Sequence, residues 1–85
     1  MDVSDLSPIE RAILAFFSQH DVVLNPSSLA ANIDYDQNYT ARQCNELSRH
    51  GLLEKLDGPK YRLTDEGRRL AEEIEEEELE EDGGE

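Results

Sequence analysis

The chain is poor in the features that would staple, anchor or arm it. Its one cysteine, Cys44, excludes an internal disulfide. No apolar run exceeds a few residues, and Met1-Asp2-Val3-Ser4-Asp5 lacks the basic region and apolar stretch of a signal peptide. The expectation is therefore a soluble, cytoplasmic chain with no membrane contact. No glycine-rich loop could cradle phosphate, and no arrangement of Ser, His and Asp suggests a nucleophile and base. Neither an enzyme nor a small-molecule substrate is expected. His20 and His50 have no Cys or His partner at ligand spacing, and the acids from Glu72 to Glu81 lack the spaced ligands and glycine of a calcium loop. No metal or cofactor is expected. Cys44, at a core position with no nearby base, is expected to be a buried, inert thiol.

Positive charge is scarce as well. Eight basic residues stand against 21 acidic ones, a formal net charge of −13, and only Lys55 and Lys60 are lysines. Such a surface keeps a protein dispersed where salt is concentrated, which points to a halophile's cytoplasm; the alternative is a mesophilic protein with a basic partner. The charge is also uneven. Residues 1–36 hold one arginine against six acids, and residues 63–85 hold two against twelve. Residues 37–62 instead hold Arg42, Arg49, Lys55, Lys60 and Arg62 against Glu46, Glu54 and Asp57, the only positive segment of the chain.

What is present is a clear order of elements. Ser7-Pro8-Ile9-Glu10 has the form of a capping box with proline at the first helical position. Ile9, Ala12, Ile13, Phe16 and Phe17 then form one apolar stripe at helical spacing. Val22-Val23-Leu24 is either a brief strand or a buried connection. Asn25-Pro26 opens a second helix with Leu29 and Ile33 inward. Asp36 should cap a third, from Gln37 to about His50, burying Thr40, Cys44 and Leu47; Gly51 suits its left-handed end, with Leu52 folding back on Leu47. Leu52–Leu56 and Lys60–Leu63 bracket the turn Asp57-Gly58-Pro59, a hairpin with Tyr61 and Leu63 on one face and Lys60 and Arg62 on the other. Thr64 caps a last helix with Leu70, Ala71 and Ile74 inward. Ten of the eleven residues from Glu75 on are Glu, Asp or Gly, the composition of a frayed and then disordered tail.

This is an α+β, mainly α, winged helix-turn-helix: a three-helix core, a β-hairpin wing and a C-terminal helix. The expected organisation is an N-terminal arm over residues 1–6, the winged-helix domain over 7–74 and an acidic tail over 75–85. The expected core is Ile13, Phe16, Phe17, Leu29, Ile33, Leu47 and Leu63, with Phe16→Ala among its costliest changes.

The layout suggests that the third helix sits in the major groove of double-stranded DNA. Gln37, Asn38, Arg42 and Gln43 face outward there, and side chains of these types read adenine and guanine edges through paired hydrogen bonds. Tyr39 lies at the boundary, placed to touch a phosphate or a thymine methyl. Arg49, Lys55, Lys60 and Arg62 complete the positive segment, with the wing residues along the backbone. A competing expectation keeps the scaffold but not the nucleic acid: a protein-interaction module with partners on its acidic first and fourth helices. A homodimer would let so small a reader span two half-sites, although Leu70, Ile74 and Leu79 make only a thin seam for it.

Four stretches carry a family likeness: Leu6 to Leu14, the turn from Tyr35 to Tyr39, Leu47-Ser48-Arg49-His50-Gly51-Leu52-Leu53, and Tyr61-Arg62-Leu63-Thr64-Asp65-Glu66-Gly67-Arg68. From Ser7 to about Ile74 the chain resembles the small winged-helix regulators common in haloarchaea, including repressors of their phages and the wider MarR-like group. The resemblance implies a DNA-binding transcriptional regulator that makes its contacts through the third helix and the wing.

Overall fold

The computed structural model describes the backbone of residues 3–83 and the side chains of residues 3–77. A 3-10 turn at Val3–Asp5 leads into α1 (Pro8–His20), α2 (Pro26–Ile33) and α3 (Gln37–Arg49). The strands β1 (Leu53–Lys55) and β2 (Tyr61–Leu63) and the helix α4 (Asp65–Gly83) follow.

Each helix starts where its cap dictates. The Ser7 hydroxyl accepts from the Glu10 N–H while the Glu10 carboxylate accepts from the Ser7 N–H at 2.8 Å, a complete capping box. Asn25 accepts from the Ser28 N–H at 2.8 Å, and Asp36 from the Tyr39 N–H at 2.9 Å. The end of α3 is a Schellman motif: the Gly51 N–H donates to the Ser48 carbonyl and the Leu52 N–H to the Leu47 carbonyl, at 3.0 and 2.9 Å. Gly51 has φ +80°, a conformation that costs a residue without Cβ little.

The wing is an antiparallel ladder with Leu53 opposite Leu63, Glu54 opposite Arg62 and Lys55 opposite Tyr61. Leu24 adds a third, single-residue rung: its N–H donates to the Tyr61 carbonyl and its carbonyl accepts from the Tyr61 N–H, at 3.1 and 2.8 Å. The run Val22-Val23-Leu24 is thus an edge rung at Leu24, preceded by exposed Val22 and Val23.

Thr64 ties the end of α3 to the start of α4. Its hydroxyl donates toward the carbonyls of Gly51 and Leu52 and accepts from the Gly67 N–H at 3.0 Å. A Cβ at Gly67 would overlap the Leu52 carbonyl oxygen and lie 2.8 Å from Leu63 Cδ1, so the approach of α4 to this corner requires glycine.

Ile9, Ile13, Leu14, Phe17, Leu29, Cys44, Leu47, Leu53 and Ile74 form the centre of the core. Phe16 does not belong there. The inward face of α1 is Ile9, Glu10, Ile13, Leu14 and Phe17, rotated toward Leu14 and away from Ala12 and Phe16. Phe16 is half-buried and lies against the His20 ring, with centroids 4.3 Å apart. Ile33 and Leu63, also expected inside, are likewise half-buried at the margin. The arm expected over residues 1–6 contributes Val3 and Leu6 to the core. Ile74 is the last buried residue described on α4, yet the helix continues to Gly83, through the stretch expected as a tail. Arg11 bonds Glu77 at 3.0 Å and the Val3 carbonyl at 2.9 Å, linking α1, α4 and the N-terminal turn.

Candidate nucleic-acid interface

Thr40, Cys44 and Leu47 are fully buried, which fixes the rotation of α3. Thr40 stays satisfied because its hydroxyl donates to the Asp36 carbonyl at 2.8 Å. Burial pushes the Cys44 thiol up to about 12, so this group is a neutral core atom rather than a reactive thiolate.

The opposite face of α3 carries Asn38, Arg42, Asn45 and Arg49 at i, i+4, i+7 and i+11, all exposed. Gln37 is exposed beside them in the first turn, whereas Tyr39 and Gln43 are half-buried on the flank. Asn45 belongs to the centre of this stripe, and its spacing of three from Arg42 is the signal that would have found it in the sequence. Gln43, one position from buried Cys44, faces outward less than expected.

The five basic groups differ in how free they are. Arg62 Nε lies 2.8 Å from Glu54 Oε1, a cross-strand pair in register. Arg49 lies 3.8 Å from Glu46, which also stands 3.8 Å from His50. Arg42 has no ion-pair partner among the described residues; its guanidinium carbon lies 6.0 Å from the centroid of the Tyr39 ring. Lys55 and Lys60 are exposed, share one hollow at the hairpin tip with Leu56 and Asp57, and have no ion-pair partner among the described residues. Arg42, Lys55 and Lys60 are therefore the cations most available to an anion. The pairing of Glu54 with Arg62, not anticipated from the sequence, follows from the hairpin register once the turn is centred on Asp57–Pro59.

Among the described residues, no group of three or more His, Cys, Asp or Glu is placed to hold a metal, and no helix is long and apolar enough to cross a membrane.

Helix, turn, helix and hairpin in this order define a winged helix. The model of the winged helix-turn-helix phage repressor family matches residues 2–82, and the chain belongs to that family. No curated protein matches it. Among solved structures it is similar to ligand-free NadR, at 22% identity and TM-score 0.82, covering 95% of this chain and 61% of that one. It is similar also to the MarR family transcriptional regulator SPO1453 from Silicibacter pomeroyi DSS-3, at 24% identity and TM-score 0.81, covering 94% and 59%. A third is the M. tuberculosis transcriptional regulator MosR, at 29% identity and TM-score 0.73, covering 84% and 54%. The chain thus spans less than two thirds of the length of each of these structures.

Proposed function

We propose that the chain is a transcriptional regulator that binds specific sites in double-stranded DNA, with α3 in the major groove and the β1–β2 wing along the phosphate backbone. Asn38, Arg42 and Asn45 read base edges, with Gln37, Tyr39 and Gln43 at the margin of that contact. Lys55 and Lys60 hold phosphates beside the wing, and Arg62 and Arg49 join them to the extent that Glu54 and Glu46 release them. The observation that carries this reading is that Arg42, Lys55 and Lys60, the cations without a carboxylate partner among the described residues, lie on α3 and the wing of a chain whose net charge is −13. Family membership and the transcriptional regulators among the similar structures support the same reading.

The acidic remainder suits a cytoplasm rich in potassium salt, where carboxylates hold water and cations and the attraction between DNA and lysine is screened. A homodimer would place two α3 helices on successive half-sites.

Selection from a random duplex pool at molar potassium chloride tests the proposal. Enrichment of one motif, bound by the folded chain, is the expected result. Recovery of no motif at any salt, with protein partners retained from lysate after nuclease treatment, would replace it with the protein-interaction role.

A further inference from the structure

Three side chains at the start of α3 form a ladder that the base-reading assignment does not by itself explain. The rings of Tyr35 and Tyr39 meet edge to face, with centroids 6.4 Å apart and planes inclined by 61°. The Arg42 guanidinium lies over the other rung, 6.0 Å from the Tyr39 centroid. Both contacts fall within the range of attractive aromatic and cation–π geometry.

We propose that Tyr35 is a positioning residue which, through Tyr39, sets the guanidinium of Arg42 to read a guanine edge in the major groove. This rests on the reading of α3 as the DNA-reading helix.

The backbone beneath the ladder is fixed at both ends. Asp34 closes α2 in the left-handed region at φ 63°, and the Tyr35 N–H donates to the Ala30 carbonyl at 3.1 Å. One residue later Asp36 caps α3 by accepting from the N–H of Tyr39 itself. Rotamer choice is therefore the main freedom left to the two rings, and their mutual contact restricts it.

Core packing accounts for Tyr39 but not for Tyr35. Tyr39 is half-buried against the core cluster, whereas Tyr35 is 37% exposed and stands outside that cluster. Arg42 needs such a partner more than the other arginines do. Arg11, Arg49, Arg62, Arg68 and Arg69 each lie near a carboxylate, while the ring of Tyr39 is the partner that the described structure gives Arg42. An arginine held by a ring keeps all its N–H donors for a ligand, and one already ordered loses less freedom when it docks.

The test uses the full chain, the selected duplex and its single-base variants, with affinity read by fluorescence anisotropy and fold checked by circular dichroism. Arg42→Ala should abolish preference at one base pair, by roughly 5- to 150-fold. Tyr35→Ala should lower preference at that same base pair by about 2- to 10-fold, the scale of one aromatic contact, and leave affinity for unrelated duplex unchanged. Tyr35→Phe should restore it, since the contact is between the two rings and phenylalanine keeps the ring. In the Arg42→Ala background Tyr35→Ala should have no further effect.

If Arg42→Ala abolishes the preference and Tyr35→Ala leaves it intact, the positioning role is overturned while the DNA-reading role of α3 stands. A uniform loss on all duplexes that Tyr35→Phe does not rescue would also overturn it, in favour of a direct phosphate contact. If Arg42→Ala changes no base preference, the reading on which the proposal rests fails with it.

Discussion

Arg62 and Glu54 face each other across the wing, the guanidinium Nε 2.8 Å from the carboxylate oxygen, so the outward-facing arginine of β2 is held by an acid of β1. Both side chains are about half exposed, at 55% and 48%. A pair this open adds little stability, at most about 1 kcal/mol.

Its effect on DNA binding should be larger than its effect on folding. Glu54→Gln frees Arg62 and removes a charge that repels phosphate. At low salt the affinity for duplex should rise by about two- to fivefold, and the gain should vanish in molar salt where such charges are screened. Anisotropy titrations with both proteins at two salt concentrations check this; equal affinity at low salt would place the wing away from the backbone.

Phe17 is the aromatic that holds the core. It is fully buried, and Phe17→Ala should cost about 3–5 kcal/mol, enough to unfold a domain of this size. Phe16→Ala should cost clearly less, because Phe16 is only half-buried at the margin of the core and one side of its ring lies against the exposed ring of His20. Chemical denaturation of the two variants side by side distinguishes them.

These two residues show what could be known in advance. Caps are local chemistry, so Ser7, Asn25, Asp36, Thr64 and the Gly51 helix end are all legible in the sequence and all take the expected roles. The stripe on α1 is wide enough to include both Phe16 and Phe17, and only packing against α2, α3, α4 and β2 decides which turns inward. The course of α4 past Ile74 was equally hidden, since a run of glutamates has no apolar period to mark a helix. In the candidate site, the rotation of α3 follows from Thr40, Cys44 and Leu47, whereas the pairing of Arg62 with Glu54 depends on a hairpin register that the sequence only brackets.

Gly67→Ala should destabilise the domain by about 1–3 kcal/mol, although alanine ordinarily favours a helix, because the added methyl meets the Leu52 carbonyl. A lowered melting temperature is expected. A raised one would mean that α4 can shift away from the α3–β1 corner freely.

Cys44 makes stability fall in alkali. Its folded value of about 12 exceeds the ordinary 9.0, so above pH 9 the unfolded chain releases a proton that the folded chain keeps. The stabilising contribution is complete below pH 9 and declines by about 1.4 kcal/mol per pH unit as pH rises toward 12. Replacing Cys44 with alanine should flatten that decline, at the cost of a cavity, in denaturation curves taken from pH 8 to 11.

The central claim, that a strongly acidic chain binds DNA through the cations of α3 and its wing, is tested most directly by affinity against salt. Three phosphates neutralised by Arg42, Lys55 and Lys60 would by themselves give a log–log slope of about −2.7, and five would give about −4.5. Bringing the surrounding carboxylates, Glu46, Glu54 and Asp57 nearest in sequence, toward phosphate requires uptake of cations, which opposes that release. The measurement is the affinity for the selected duplex from low to multimolar potassium chloride, with fold monitored at each point. A shallow or positive dependence, with specific binding surviving at molar salt, is predicted. A steep monotonic loss while the domain stays folded would contradict the account.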